Sequence, residues 1–138
     1  MVDGTIGLFE VTDGREDYLE FFLLGSFACD LESLSTQTTS KKNLMAMSDC
    51  SVLYIPRAKL LELYEVSPSY ERLGRKMLEH LVASQHQFAA ILKNLSPQEK
   101  YAFIKEKRPQ LLQQVPLKYL ASYLGLARET LSRIRKKM

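Results

Sequence analysis

The segment PLKYLASYLGLARETLSRIRKK, Pro116 to Lys137, makes two demands that few folds meet at once. Leu117, Leu120, Ala121 and Leu124 recur at i, i+3, i+4 and i+7, the spacing of one apolar helix face. Gly125 follows, where a sharp turn accepts a residue without a side chain. Beyond it, ARETLSRIRKKM places Leu131, Ile134 and Met138 on one face and Arg128, Glu129, Ser132, Arg133 and Lys136 elsewhere. A small Ala121 at the crossing, Gly125 in the turn, and Leu120, Leu126, Leu131 and Ile134 in the apolar slots are the pattern of a helix-turn-helix. A plain helical hairpin with a solvated basic tail is the alternative. It must explain why five cations gather between Arg128 and Lys137 against the single acid Glu129.

A second helix lying in the major groove of DNA answers that charge. Its outer face meets base edges and phosphates while its inner face needs a hydrophobic platform. Arginine can donate two bonds to guanine, and glutamate can accept from cytosine. Arg128, Glu129 and Arg133 near the helix start are the candidate base readers. Lys118, Thr130, Ser132, Arg135, Lys136 and Lys137 are candidate phosphate contacts, which set affinity and register but not sequence.

The rest of the chain is read with the same rules. TIGLFEVTDGREDYLEFFLL gives two β runs around Asp13-Gly14, a strong hairpin signal. NLMAM and SVLYIP read as two further strands, and RAKLLELYEV as a short helix. Ser67-Pro68 opens a long helix. Along it the series Tyr70, Met77, Ser84, Ile91 and Gly74, Leu81, Phe88, Leu95 interleave as one mostly apolar stripe over about 39 Å. A stripe of that length points to pairing with a second copy; the alternative is packing within the chain. Ser96-Pro97 with Glu99 is a capping-box start, and Pro109 and Pro116 bound QLLQQV. The fold class is therefore α+β: a partial, jelly-roll-like β-roll lobe over 1–66, a dimerisation helix over 67–95, and a helix-turn-helix over 96–138 without a clear wing, its recognition helix at 127–137.

Several classes are disfavoured. No apolar run approaches 18 residues and no basic-plus-apolar leader opens the chain, so a cytoplasmic protein with no membrane partner is expected. Cys29 and Cys50 are far apart and without a nearby His pair, which reads as buried reduced thiols with no metal site. His80 and His86, six apart, do not share a face as i, i+4 ligands do, and with no Gly-rich phosphate loop or nucleophile elbow the chain does not read as an enzyme.

At this point LASYLGLARETLSRIRKK resembles the DNA-binding motif of the Crp/Fnr superfamily of bacterial transcription regulators, particularly its short members in Bacteroidetes. The resemblance covers nearly the whole chain. GTIGLFEVTDGREDYLEFFLLGSFACDLESL is similar to the second half of the family's cyclic-nucleotide-type β-roll, and SVLYIPRAKLLELYEVSPSYERLGRKML to its last strand and the start of its dimerisation helix. It implies a homodimer that binds double-stranded DNA at an inverted repeat, with base contacts from Arg128, Glu129 and Arg133, and with RNA polymerase as a partner if the protein activates. An alternative is a dimerisation or protein-interaction module, derived from such a regulator, that no longer binds DNA.

The departures from the family carry expectations too. The family's nucleotide pocket uses a Gly-Glu pair and an Arg-Ser or Arg-Thr pair, whereas the aligned positions here hold Cys29-Asp30 and Ser40-Lys41. Without that arginine, cyclic AMP is not expected, no cofactor is assigned, and the effector-lobe candidates are Asp30, Ser40, Lys41 and Lys42. Two distant cysteines do not supply an iron-sulfur cluster. The lobe begins in mid-roll, so exposed strand edges are expected. The chain ends near the recognition helix, so wing contacts to phosphate are expected to be lacking.

Overall fold

A computed structural model describes residues 1–137. Met138, placed by the sequence on the inner face of the last helix, lies outside the described residues. The elements run β1 (Ile6–Thr12), β2 (Arg15–Phe22), α1 (Leu31–Thr36), β3 (Asn43–Ala46), α2 (Arg57–Val66), α3 (Pro68–Asn94), α4 (Pro97–Lys107), α5 (Pro109–Gln114), α6 (Leu117–Tyr123) and α7 (Arg128–Lys137). No helix among the described residues is long and apolar enough to cross a membrane.

The strands form one antiparallel sheet in the order β2-β1-β3. Asp13 and Gly14 both adopt positive φ, 52° and 75°, so the β1–β2 connection is the two-residue turn whose twist suits a hairpin. Along the pair, Leu8 faces Glu20 and Phe9 faces Tyr18, which leaves Leu19 as an extra residue in β2. This bulge resets the alternation. Tyr18 and Phe21, three apart, therefore reach the same face and stack at 5.3 Å, with Phe9 stacked on Tyr18 at 5.1 Å. Gly7 lies under these rings. A Cβ there would stand 2.7 Å from Tyr18 and 3.1 Å from Phe21.

SVLYIP does not form the expected strand. Ser51 makes one bridge to Asp3, and Val52 to Ile55 are exposed outside any strand. The stretch pairs with neither edge strand of the β2-β1-β3 sheet, and β-branched composition alone does not make a ladder. Cys29 and Cys50 are free and half-buried rather than buried.

The chain forms two compact units, residues 1–53 with 95–138, and residues 54–94. This grouping differs from the three-part division read from the sequence: α2 belongs with α3, and the β lobe belongs with the C-terminal helices. In the smaller unit the ring of Tyr64 on α2 covers Gly74, where a Cβ would collide with the Tyr64 hydroxyl. In the larger unit α6 packs on β2, and α4, α6 and α7 pack together. Tyr101, Ile104, Leu111, Leu120, Leu124 and Leu131 form its helical core, all buried. α4 opens with the expected capping box, Ser96 accepting from the Glu99 N–H at 3.4 Å and Glu99 accepting from the Ser96 N–H at 2.8 Å.

Gly7→Val is expected to overpack the Tyr18–Phe21 stack and to lower stability by about 1–3 kcal/mol, read as a lower urea midpoint with an unchanged slope.

Candidate nucleic-acid interface

The helix-turn-helix rests on how α6 ends. Leu126 N–H donates to the Ala121 carbonyl at 2.9 Å and Gly125 N–H to the Ser122 carbonyl at 3.0 Å, with Gly125 at φ 62°. These two bonds are a Schellman closure, which requires a left-handed residue and so favours glycine. The Leu124 carbonyl, also at the end of α6, accepts from Lys100 Nζ on α4 at 3.2 Å. Lys100 is buried, and its cation lies where the negative end of the α6 dipole attracts one. Sequence reasoning missed Lys100 because a lysine on a short amphipathic helix reads as solvated.

α7 then leaves the turn with Leu131 and Ile134 buried against the core. Arg128, Glu129, Arg133, Arg135, Lys136 and Lys137 are all exposed, Thr130 and Ser132 half-buried, and Lys118 exposed on α6 with its ammonium 5.3 Å from the Tyr119 ring. Glu129, Arg133 and Lys136 follow one another at i, i+4 and i+7, on the side of the helix away from Leu131 and Ile134. Glu129 and Arg133 have the spacing for a pair along the helix, yet among the described residues neither makes an ion pair within 4.0 Å. Arg135, Lys136 and Lys137 also complement the α7 dipole in its last turn. That effect accounts for part of their clustering; it does not account for Arg128 and Arg133, which stand farther from the helix end.

The other candidates fall in different places. Asp30, Ser40 and Lys42 meet beside a cavity of about 300 Å³ lined also by Leu8, Cys29 and Leu44. Lys42 Nζ donates to Asp30 at 2.8 Å and to Glu32 at 2.9 Å, and Ser40 donates to Asp30 at 2.6 Å. Lys42, one of the effector-lobe candidates, is thus held by two of the chain's own carboxylates. Lys42, hydrogen-bonded first of all, and Ser40 hold the Asp30 carboxyl below the usual carboxylate range, and Asp30 holds Lys42 above the usual lysine range. Lys41 is exposed and apart from this cluster.

On α3 the stripe read from the sequence is uneven. Tyr70 is exposed, Gly74, Met77, Leu81, Ser84 and Phe88 are half-buried, Ile91 is buried, and Leu95, just past the helix, is half-buried. Leu73, Leu78 and Val82 remain exposed beside it; the seven-residue series passes over them.

The larger unit also contains a polar seam that sequence reasoning missed altogether. Ser122 on α6 accepts from the Tyr18 N–H at 3.0 Å and donates to the Glu16 carbonyl at 3.0 Å. Arg108, between α4 and α5, donates to Glu20 at 2.8 Å, to the Tyr123 hydroxyl at 2.7 Å and to the Phe21 carbonyl at 2.8 Å. Burial and then the Glu20 carboxylate push the Tyr123 phenol well above its usual range. Thr5 on the lobe donates to Gln114 at 2.7 Å.

No protein-family model matches the chain, and no curated protein matches it. Solved structures do. FixK2 from Bradyrhizobium japonicum superposes with a TM-score of 0.83 at 21% identity, over 99% of this chain and 71% of that one. CLP of Xanthomonas campestris, a c-di-GMP responsive global regulator that links cell-cell signalling to virulence gene expression, gives 0.65 at 21% identity, over 99% and 73%. A candidate cAMP-binding regulatory protein from Silicibacter pomeroyi DSS-3 gives 0.59 at 23% identity, over 99% and 63%. The chain thus has the fold that these proteins share.

The Asp30–Lys42 pair sets a pH dependence. A depressed carboxylate contributes stability above its unfolded pKa and loses it as pH falls through the folded one. Asp30→Asn is expected to be less stable than the parent near neutrality, with the gap closing as pH drops below the ordinary aspartate value of 3.8; denaturation midpoints of both proteins across pH check this.

Proposed function

On the Crp/Fnr fold that the chain shares with these structures, we propose that the protein is a sequence-specific DNA-binding transcription regulator of the cytoplasm. It acts as a homodimer on an inverted repeat, with α7 in the major groove. One observation carries the reading: α7 buries Leu131 and Ile134 while Arg128, Glu129 and Arg133 stand exposed and outside any ion pair among the described residues.

The division of labour follows from chemistry. Arg128 and Arg133 offer planar forks to guanine, and Glu129 accepts from cytosine. Lys118, Thr130, Ser132, Arg135, Lys136 and Lys137 bind the backbone, which fixes register. The α3 stripe, from Tyr70 to Leu95, joins two copies and so sets the distance between two reading helices, one helical turn of DNA apart. CLP is responsive to c-di-GMP and the Silicibacter pomeroyi protein is a candidate for cAMP binding. In this chain Lys42 is taken up by Asp30 and Glu32, which supports a lobe that does not use cyclic AMP.

Selection of bound duplexes from a random pool tests the reading, and a pool that yields no enriched sequence overturns it. On the selected operator, Arg128→Ala and Arg133→Ala are each expected to cost about 1–3 kcal/mol and to relax preference at one base pair. Lys136→Ala should instead weaken binding to all sequences alike and reduce the slope of log affinity against log salt by about one unit. Leu81→Glu on the α3 stripe is expected to turn a dimer into a monomer in sedimentation, and a parent that sediments as a monomer at all concentrations removes the dimer.

A further inference from the structure

The outer edge of β2 is where an extra strand would add, since an edge strand presents unpaired N–H and C=O groups. Here those groups are met by side chains, most of them from the helical region. A single hydroxyl, Ser122 Oγ, takes both the Tyr18 N–H and the Glu16 carbonyl, each at 3.0 Å. One residue pair along, the Phe21 carbonyl accepts from Arg108 at 2.8 Å, and the Phe21 N–H donates to the Glu20 carboxylate at 2.9 Å. That carboxylate is itself held by Arg108 and, at 3.4 Å, by the Tyr123 hydroxyl. The rings close the same seam, Tyr119 against Tyr18 at 4.8 Å and Tyr123 edge-on to Phe21 at 5.3 Å. The first helix of the helix-turn-helix therefore fills the place of a neighbouring strand.

We infer that this seam fixes the reading head to the β lobe, and that Ser122, Glu20, Arg108 and Tyr123 are positioning residues that set where α7 points. The argument is geometric. α6 carries α7 through the Schellman turn at Gly125, so any rotation of α6 on β2 swings Arg128 and Arg133 with it. Sliding α6 along β2 breaks two bonds to one hydroxyl at once, and the Arg108 fork holds three acceptors that only one placement brings together. A rigid seam matters most when two heads must be engaged simultaneously, because the second contact gains from the first only if its geometry is already right.

The inference rests on the dimeric DNA-binding reading, and its test separates the two. Ser122→Ala and Tyr123→Phe each remove a hydroxyl, leave the helix and the rings in place, and touch none of the residues assigned to DNA. On operators obtained by selection, both variants are expected to keep single half-site affinity within about twofold while losing about tenfold on the full inverted repeat, with a flattened dependence on half-site spacing. Ser122→Thr, which keeps the hydroxyl, should restore the spacing dependence. Equal losses on half-site and full operator, or an unaltered spacing profile, would overturn the inference.

Amide hydrogen exchange of the DNA-free protein provides an arm that does not depend on DNA binding. In Tyr123→Phe the Tyr18 amide, bonded to Ser122, should exchange at least several-fold faster while the amides of α7 keep their protection. Unchanged Tyr18 exchange refutes the seam even if the parent binds DNA. Faster Tyr18 exchange in a parent that selects no DNA supports the seam and refutes only the DNA-binding reading.

Discussion

An edge strand must have its backbone groups met by something, and in this protein that requirement falls on β2. β1 sits in the middle of the sheet with β2 and β3 on either side, so the outward N–H and C=O groups of β2 have no strand to receive them. Helix α6 and the Arg108 loop supply the partners. The bulge at Leu19 brings Tyr18 and Phe21 to one face, where they meet Tyr119 and Tyr123. Hydrogen bonding and aromatic burial therefore act on the same few residues, and the β lobe and the helix-turn-helix become one compact unit. Burial of Arg108 works against its charge, yet its interactions with Tyr123 and Glu20 outweigh that and hold its pKa above the usual arginine range. Removing only one member of such a cluster costs more than the cluster contributes as a whole, because a buried partner is left unmet.

What could be read from the sequence was what is decided locally. The hairpin followed from Asp13-Gly14, since these residues tolerate the positive φ that a type I′ two-residue turn needs at both positions. The start of α4 followed from Ser96 and Glu99, which cap it within three residues. The turn between α6 and α7 followed from Gly125 and the leucines around it, because each bond of the Schellman closure spans at most five residues. The exposure of Arg128 and Arg133 followed from the apolar row of Leu131 and Ile134, which leaves the other rows of α7 outward.

What could not be read depends on residues far apart. Tyr18 and Ser122 are separated by 104 residues, and Glu20 and Arg108 by 88; nothing near either residue of these pairs announces the other. Lys100 belongs to the same class, since its burial is set by the position of the Leu124 carbonyl. SVLYIP erred in the opposite direction. Its composition suits a strand, but pairing is a property of two chain segments, and beyond the single Ser51–Asp3 bridge no segment pairs with it. The Asp30–Lys42 pair was half legible: both residues were singled out, while their mutual bond depends on how the loop after α1 returns to β3.

The seven residues of α6 are enclosed on two sides, Tyr119, Ser122 and Tyr123 toward the sheet and Leu120 and Ala121 toward the helical core. Most of its positions face one of these neighbours, while Lys118 stands exposed. The outward rows of α7 answer to none within the chain's apolar interior. Mutational drift is therefore channelled: side chains on the outward rows of α7 can be exchanged without disturbing the interior, whereas Leu131, Ile134 and most of α6 cannot. The outward surface of α7 can change on an unaltered scaffold.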